Sequence, residues 1–444
     1  MSGRADPLFV NGVPRGQPGT TFLLKIGSRE ESPDGEQESC SGPVDRTRVA
    51  PDPGCMALTD HGVKFSHEVI DADPPCAKLG FCLTGDLTGN GRPDVIVGGR
   101  GEGYPGKRFV DAAERRNIPT FRRLRSLAGF AETNLFWYEN PGFERHDVAT
   151  VPYLDVGAAL GDLTGDGRPN VLAGQGIGHQ DVYWFEMPED PRQPWIPHLL
   201  TDEFEKYHDL AVGDVDDDGE QEVVGLSQES ETVFYYDIPD DPRRSPWPRE
   251  CLHVVEAGRS LEGLAIVDVD GDGREELLAG PNIYRQDGAA TGWEREPIAA
   301  GWDQTRVAVA DLDRDGDLEV ILSEGDSPIY GSHPGRVAWF DPPDWEPTFL
   351  ADDLFCPHSL QVADFSGNGW PDVYVAEMGL DRNDSPRHFL FVNRGEAAFE
   401  QHVIATGVAT HEATATDLTG NGQPDVVGKS YGPDHHVDVW YNER

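Results

Sequence analysis

Asp86-Leu-Thr-Gly-Asn-Gly-Arg-Pro-Asp94 is the stretch that decides the fold, because the chain repeats it seven times. Its counterparts are residues 162–170, 214–222, 268–276, 311–319, 364–372 and 417–425. The shared pattern is D-x-[DTS]-x-[DN]-G-x-x-[DEN], followed by Val or Leu. Successive copies start 76, 52, 54, 43, 53 and 53 residues apart. A period near fifty in a strand-like context points to propeller blades rather than to a helical solenoid.

Each copy sits in the same frame. A short strand precedes it, as in His208-Asp-Leu-Ala-Val-Gly213, and a β-branched strand follows, as in Val320-Ile-Leu322. A third strand is aromatic (Leu135-Phe-Trp-Tyr138, Val182-Tyr-Trp-Phe185, Val233-Phe-Tyr-Tyr236), and a fourth opens on an aromatic residue such as Phe143, Trp195 or Phe399. Alternation and turn residues at each junction predict four strands per blade. The last copy has only three strands before Arg444. The segment Phe65-Ser-His-Glu-Val-Ile70 matches the fourth strand of other copies, such as Phe399-Glu-Gln-His-Val-Ile404. The expectation is therefore an all-β, seven-bladed β-propeller over residues 61–444, closed by an N-terminal strand that completes the last blade and removes a free edge. Residues 1–60, rich in Gly, Pro and charge, are expected to be a disordered extension.

Oxygen ligands at loop positions 1, 3, 5 and 9, a glycine at 6 and a backbone carbonyl at 7 are the ingredients of a Ca²⁺ loop. Position 12 is apolar where an EF-hand has Glu, and no helices flank the loop. The best candidates are copies three to five: Asp214, Asp216, Asp218 and Glu222; Asp268, Asp270, Asp272 and Glu276; Asp311, Asp313, Asp315 and Glu319. The other four carry Thr or Ser at position 3 and hence less charge. Turns closed by Asx hydrogen bonds without metal are the alternative. These loops resemble the integrin-type FG-GAP or VCBS repeat over residues 63–444. That resemblance implies blades whose loops join the first and second strands on one face of the disc.

Six residues before each loop aspartate stand Gly80, Val156, His208, Glu262, Thr305, His358 and His411. These positions ring the axis on the face opposite the loops. Only 14 histidines occur in the chain, so three at one equivalent position are unexpected. His208, His358, His411 and Glu262 are candidate ligands for Zn²⁺ or another divalent transition metal; a water-lined structural channel is the alternative. The second strand returns to this face with Glu377, Lys429 and Tyr431, which with Glu412 are candidate catalytic residues for proton transfer. An insertion at about residues 100–133 is basic (Lys107, Arg108, Arg115, Arg116, Arg122, Arg123, Arg125) and reads either as a lid or as a solvated helix on the acidic rim. The remaining histidines, including His67, His146, His198 and His402, read as outer-strand surface positions.

The inner histidines resemble those of the propeller domain of the aldos-2-ulose dehydratases, although the cupin and lectin domains of those enzymes have no counterpart here. The resemblance implies a metal-dependent dehydratase, isomerase or lyase acting on a sugar-like substrate. The competing reading is a non-catalytic propeller that binds carbohydrate or protein. No nucleophile elbow, phosphate loop or dinucleotide fingerprint is present.

The net charge is −44, and only six of the 36 basic residues are lysine. Such a surface suits concentrated salt, where a Debye length of about 3 Å screens self-repulsion; a high-salt cytoplasm is the expected setting. Nucleic acid and anionic membranes are poor partners for this charge, and a small carbohydrate is the expected one. Six scattered cysteines without a C-x-x-C pair read as free thiols. No signal segment or apolar stretch of spanning length is visible.

Overall fold

The computed structural model describes residues 63–76, 78–101, 133–151, 153–286, 292–432 and 435–444. Residues 1–60 and nearly all of the basic insertion lie outside the described residues.

Four-stranded antiparallel sheets form seven times over, six of them in chain order from the axis outward. Blade 3 runs Tyr207–Gly213, Glu222–Ser227, Thr232–Asp237 and Leu252–Ala257. The first strands of the blades are Lys78–Gly85, Leu154–Gly161, Tyr207–Gly213, Leu264–Val267, Thr305–Ala310, Pro357–Ala363 and Glu412–Thr416. Each neighbours the next, and the seventh returns to the first, which closes the ring. In blade 7 the outermost strand is Phe65–Asp71, paired antiparallel with Val437–Asn442 in the register Phe65↔Asn442 and His67↔Trp440. The propeller and its clasp are thus as the sequence predicts. Among the described residues no helix is long and apolar enough to cross a membrane, and Cys76, Cys82, Cys251 and Cys356 are free thiols.

The loop glycine at position 6 has a positive φ in all seven copies, from 81° to 103°. A side chain is disfavoured there, which is why this glycine recurs. The loop aspartate caps the turn: Asp86 accepts hydrogen bonds from the Asn90 and Gly91 N–H groups at 3.0 and 2.8 Å.

Of the outer histidines, His67 is an exposed surface position, whereas His146 and His198 are half-buried. His67, His146 and His198 stand opposite Trp440, Trp137 and Trp184 across the third and fourth strands, with ring centroids 4.9, 4.6 and 4.3 Å apart. Each also shares a hydrogen bond with a carboxylate: Asp438 at 2.8 Å, Glu139 at 3.1 Å and Glu186 at 3.0 Å. At His146 and His198 an imidazole that covers a buried indole and keeps one nitrogen on a carboxylate is half-buried by its packing. His402, opposite Leu390, is buried as well.

A second tie couples neighbouring blades. Asn140, Asn393 and Asn442 end third strands, and their side-chain amides donate to Leu418 O, Leu312 O and Phe365 O of adjacent blades at 2.7–2.8 Å. Their backbone N–H groups donate to Asp94, Asp372 and Asp425, each at 2.8 Å. These are the three loops that end in aspartate. The second oxygen of each aspartate accepts a loop N–H, of Leu87, Ser366 or Leu418 at 2.7–3.0 Å, so that one carboxylate ties the strand end to its loop.

His388 lies fully buried in blade 6, with Nδ1 on Tyr374 Oη at 2.8 Å and Nε2 on Val408 O at 2.9 Å. Burial holds it down at about 4, with Asp438 and Glu377 opposing and His67 adding to the shift. Because the unfolded chain binds the proton more tightly, this contribution to stability is complete above about pH 6.5 and is lost as pH falls toward 4. The loss is up to about 3 kcal/mol. In thermal melts the stability gap between wild type and His388→Gln should therefore narrow from pH 7.5 to pH 5, to about half or less.

Candidate functional site

The inner-strand ends opposite the loops converge on a buried polar cluster. The ring is asymmetric for a steric reason at Gly80, where a Cβ would stand 2.1 Å from the carbonyl oxygen of Asp155. Blade 1 can place no side chain there, and the chemistry falls to blades 3 to 7.

His208, Glu262, His358, His411, Glu412 and Lys429 are all 2% exposed or less, and Tyr431 is buried beside them. The His358 and His411 rings stack at 4.2 Å, and His411 stacks on Tyr431 at 4.3 Å. Lys429 Nζ lies 5.5 Å from the Tyr431 ring, donates to Leu79 O at 3.0 Å and contacts His411 Nδ1. Glu412 accepts from the Cys82 N–H at 3.2 Å and stands 3.9 Å from Lys429 Nζ. Gln228 donates to Glu262 at 3.2 Å. Three further charged residues belong to the cluster. Asp209 pairs with His208 Nδ1 at 3.0 Å, Arg306 Nη1 lies 3.9 Å from Asp209, and His358 Nε2 lies 3.9 Å from Asp326.

Burial dominates the electrostatics. It holds His358 and His411 well below the usual histidine range, with the charges of Arg306 and Lys429 adding to the effect. Both rings are therefore neutral. Burial also pushes Glu412 up to about 8, against the pull of Lys429 and Arg306, and brings Lys429 down to about 8, against Glu412. Hydrogen-bond partners assign the tautomers. His358 Nδ1 faces His411 O and must donate, which leaves the lone pair on Nε2. His411 Nδ1 accepts from the Lys429 ammonium, which leaves the proton on Nε2. Neither Nε2 has a hydrogen-bond partner among the described residues.

This arrangement differs from the ion-centred one expected from sequence. Among the described residues, His208, His358, His411 and Glu262 do not form a set of donor atoms within 4.8 Å of one another, and two cations, Lys429 and Arg306, stand among them. Glu377 is brought to the same face, but its carboxylate is occupied by Arg387 Nη2 and Nε at 2.6 and 3.0 Å and by the Phe355 and Arg387 N–H groups at 2.9 Å. It fastens the rim of blade 6, and a base is better sought elsewhere. Asp209, Arg306 and Asp326 were not singled out by sequence. The available signal was a charge inside an otherwise apolar inner strand, as in His208-Asp-Leu-Ala-Val and Thr305-Arg-Val-Ala-Val.

On the opposite face the described residues contain three groups able to hold a metal ion: Asp214, Asp216 and Asp218; Asp268, Asp270 and Glu276; Asp311, Asp313 and Asp315. They lie in copies three, four and five. Asp214 Oδ1, Asp216 Oδ1, Asp268 Oδ1 and Glu319 Oε1 are buried there without a hydrogen-bond partner. In copies one, two, six and seven both oxygens of the first aspartate already accept backbone N–H groups. Burial, with neighbouring aspartates adding to it, pushes Glu222 and Glu319 up to about 8. Crowded carboxylates with orphaned oxygens fit a divalent cation.

Strand order and ring closure define the class: the chain is a seven-bladed β-propeller. The FG-GAP-like repeat matches residues 268–322 and 364–428, which run from loop four into blade 5 and from loop six into blade 7. No curated protein matches the sequence. Among solved structures, the V. cholerae biofilm matrix protein Bap1 is similar with a TM-score of 0.48 at 11% identity, over 86% of this chain and 91% of that one.

Proposed function

We propose that the axial cluster is the reaction site of a dehydratase, isomerase or lyase acting on a sugar-like substrate. The observation that carries this reading is the pair of neutral, stacked imidazoles whose Nε2 atoms are buried, complementary in protonation and unpartnered. His358 Nε2 would take the proton from the carbon beside a substrate carbonyl. The C–H electrons move into the C–C bond and the carbonyl π pair onto oxygen, where His411 Nε2–H hydrogen-bonds the enolate. Collapse of the enolate expels the β-hydroxyl, which takes the proton now on His358 Nε2, so that water leaves and the base is restored.

The test is turnover on a panel of ketoses, anhydrosugars and uronides, alongside metal content of wild type and the His208→Ala/His358→Ala/His411→Ala variant. His358→Gln should lower turnover about 10²- to 10⁴-fold, the usual worth of a general base. No turnover on any panel member by metal-replete protein would sink the reading and leave a binding propeller. One transition-metal equivalent lost in the triple variant would instead place an ion on these imidazoles in the electrophilic role given to His411.

For the opposite face we propose Ca²⁺ in loops three to five, held by Asp214, Asp216 and Asp218, by Asp268, Asp270 and Glu276, and by Asp311, Asp313 and Asp315. All-oxygen donor sets of this kind favour a hard cation. The ions would brace the blades, remote from the reaction.

A further inference from the structure

Arg306 is 3% exposed, on the inner strand Thr305–Ala310, and both Nε and Nη1 lack a hydrogen-bond partner among the described residues. Buried guanidinium groups are rarely left so, since an unmet buried N–H is costly. Its nearest ion-pair partner, Asp209 Oδ1, is 3.9 Å away, beyond hydrogen-bond reach, while Asp209 Oδ2 accepts from the Gly263 N–H at 3.2 Å and meets His208 Nδ1. Of the other carboxylates of the cluster, Glu412 accepts from the Cys82 N–H and lies 3.9 Å from Lys429, Glu262 accepts from Gln228, and these two and Asp326 act on Arg306 through their charge alone. Arg306 also packs beside the ring proposed as the base, for Gly325 lies 3.4 Å from both the Arg306 side chain and His358 Cδ2, measured from the glycine's ideal Cβ position.

We infer that the ligand of the central cluster carries a carboxylate seated on Arg306, so that its substrate class is a sugar acid rather than a neutral sugar. This rests on the cluster being the reaction site. A planar anion supplies acceptors for the unmet N–H groups, and charge-assisted hydrogen bonds of this kind are the strong ones. Its hydroxyls meet the imidazoles and carboxylates around Arg306. A carboxylate anchored there holds the adjoining carbons next to His358.

Calorimetric titration with a hexuronate, its methyl ester and the matching neutral hexose tests this on the full chain. Wild type should bind the hexuronate about 10- to 100-fold more tightly than the ester, the range for a hydrogen bond to a charged group. Arg306→Gln should abolish that preference by weakening hexuronate binding far more than ester binding, and Arg306→Lys should keep part of it. Equal binding of acid and ester by wild type overturns the inference, as does failure to bind the hexuronate. That comparison needs no variant to fold. A preference surviving in Arg306→Gln overturns it too. Turnover, read separately, distinguishes the two proposals. Dehydration of neutral sugars without preference for the acid sinks the carboxylate anchor alone. Tight, Arg306-dependent hexuronate binding without loss of water sinks the lyase reading alone.

Discussion

Chelation of divalent cations should lower the melting temperature of this protein more than any other mild treatment. A ligand present at a hundred times its dissociation constant stabilises by about 2.7 kcal/mol per site, so three independent Ca²⁺ loops contribute about 8 kcal/mol. Without ions the carboxylates of loops three to five repel one another in a half-buried turn, and Glu222 and Glu319 are already pushed up to about 8. Mass spectrometry of dialysed protein should count three calcium equivalents. Asp268→Ala should remove one of them and lower the melting temperature on its own. The Thr- and Ser-bearing loops should add none, because their first aspartates are closed by backbone N–H groups. An unchanged melt after EGTA, or seven equivalents instead of three, would refute this assignment.

Trp440→Ala should be the most damaging single truncation outside the site. Trp440 is 1% exposed and lies under His67 of the clasping strand on one side, with His388 at 4.5 Å on the other. Deleting an indole from such a position costs about 3–5 kcal/mol. Here it also removes the surface on which Phe65–Asp71 rests, so the ring should open at blade 7 before the other blades melt. Hydrogen exchange would show this as early loss of protection at residues 65–71 and 437–442. Uniform loss of protection around the ring would mean that closure does not depend on this contact.

Much of this was readable in one dimension. The loop period counts the blades, and the homology between Phe65-Ser-His-Glu-Val-Ile70 and the other fourth strands locates the clasp, because a repeat fold obliges equivalent segments to take equivalent places. Position 3 of the loop separates the metal-competent copies from the others, since a third carboxylate is what leaves oxygens without partners. Two further pairings are present in the sequence: each loop-ending Asp94, Asp372 or Asp425 goes with Asn140, Asn393 or Asn442, and Trp137, Trp184 and Trp440 each have a histidine opposite.

Repetition and local chemistry thus determined from sequence alone the seven blades, their closure, the face that carries the acidic loops and the ring of positions that carries the histidines. What those histidines are was decided only by tertiary structure. Lys429 reaches His411 Nδ1, the carbonyl of His411 takes His358 Nδ1, and Arg306 stands among them from a neighbouring inner strand. Protonation states and the fate of Glu377 depend on burial and on partners tens to hundreds of residues away, which no periodicity encodes. The same imidazole is a ligand, a base or a hydrogen-bond donor according to which nitrogen its neighbours leave unsatisfied, and only the packed fold chooses those neighbours.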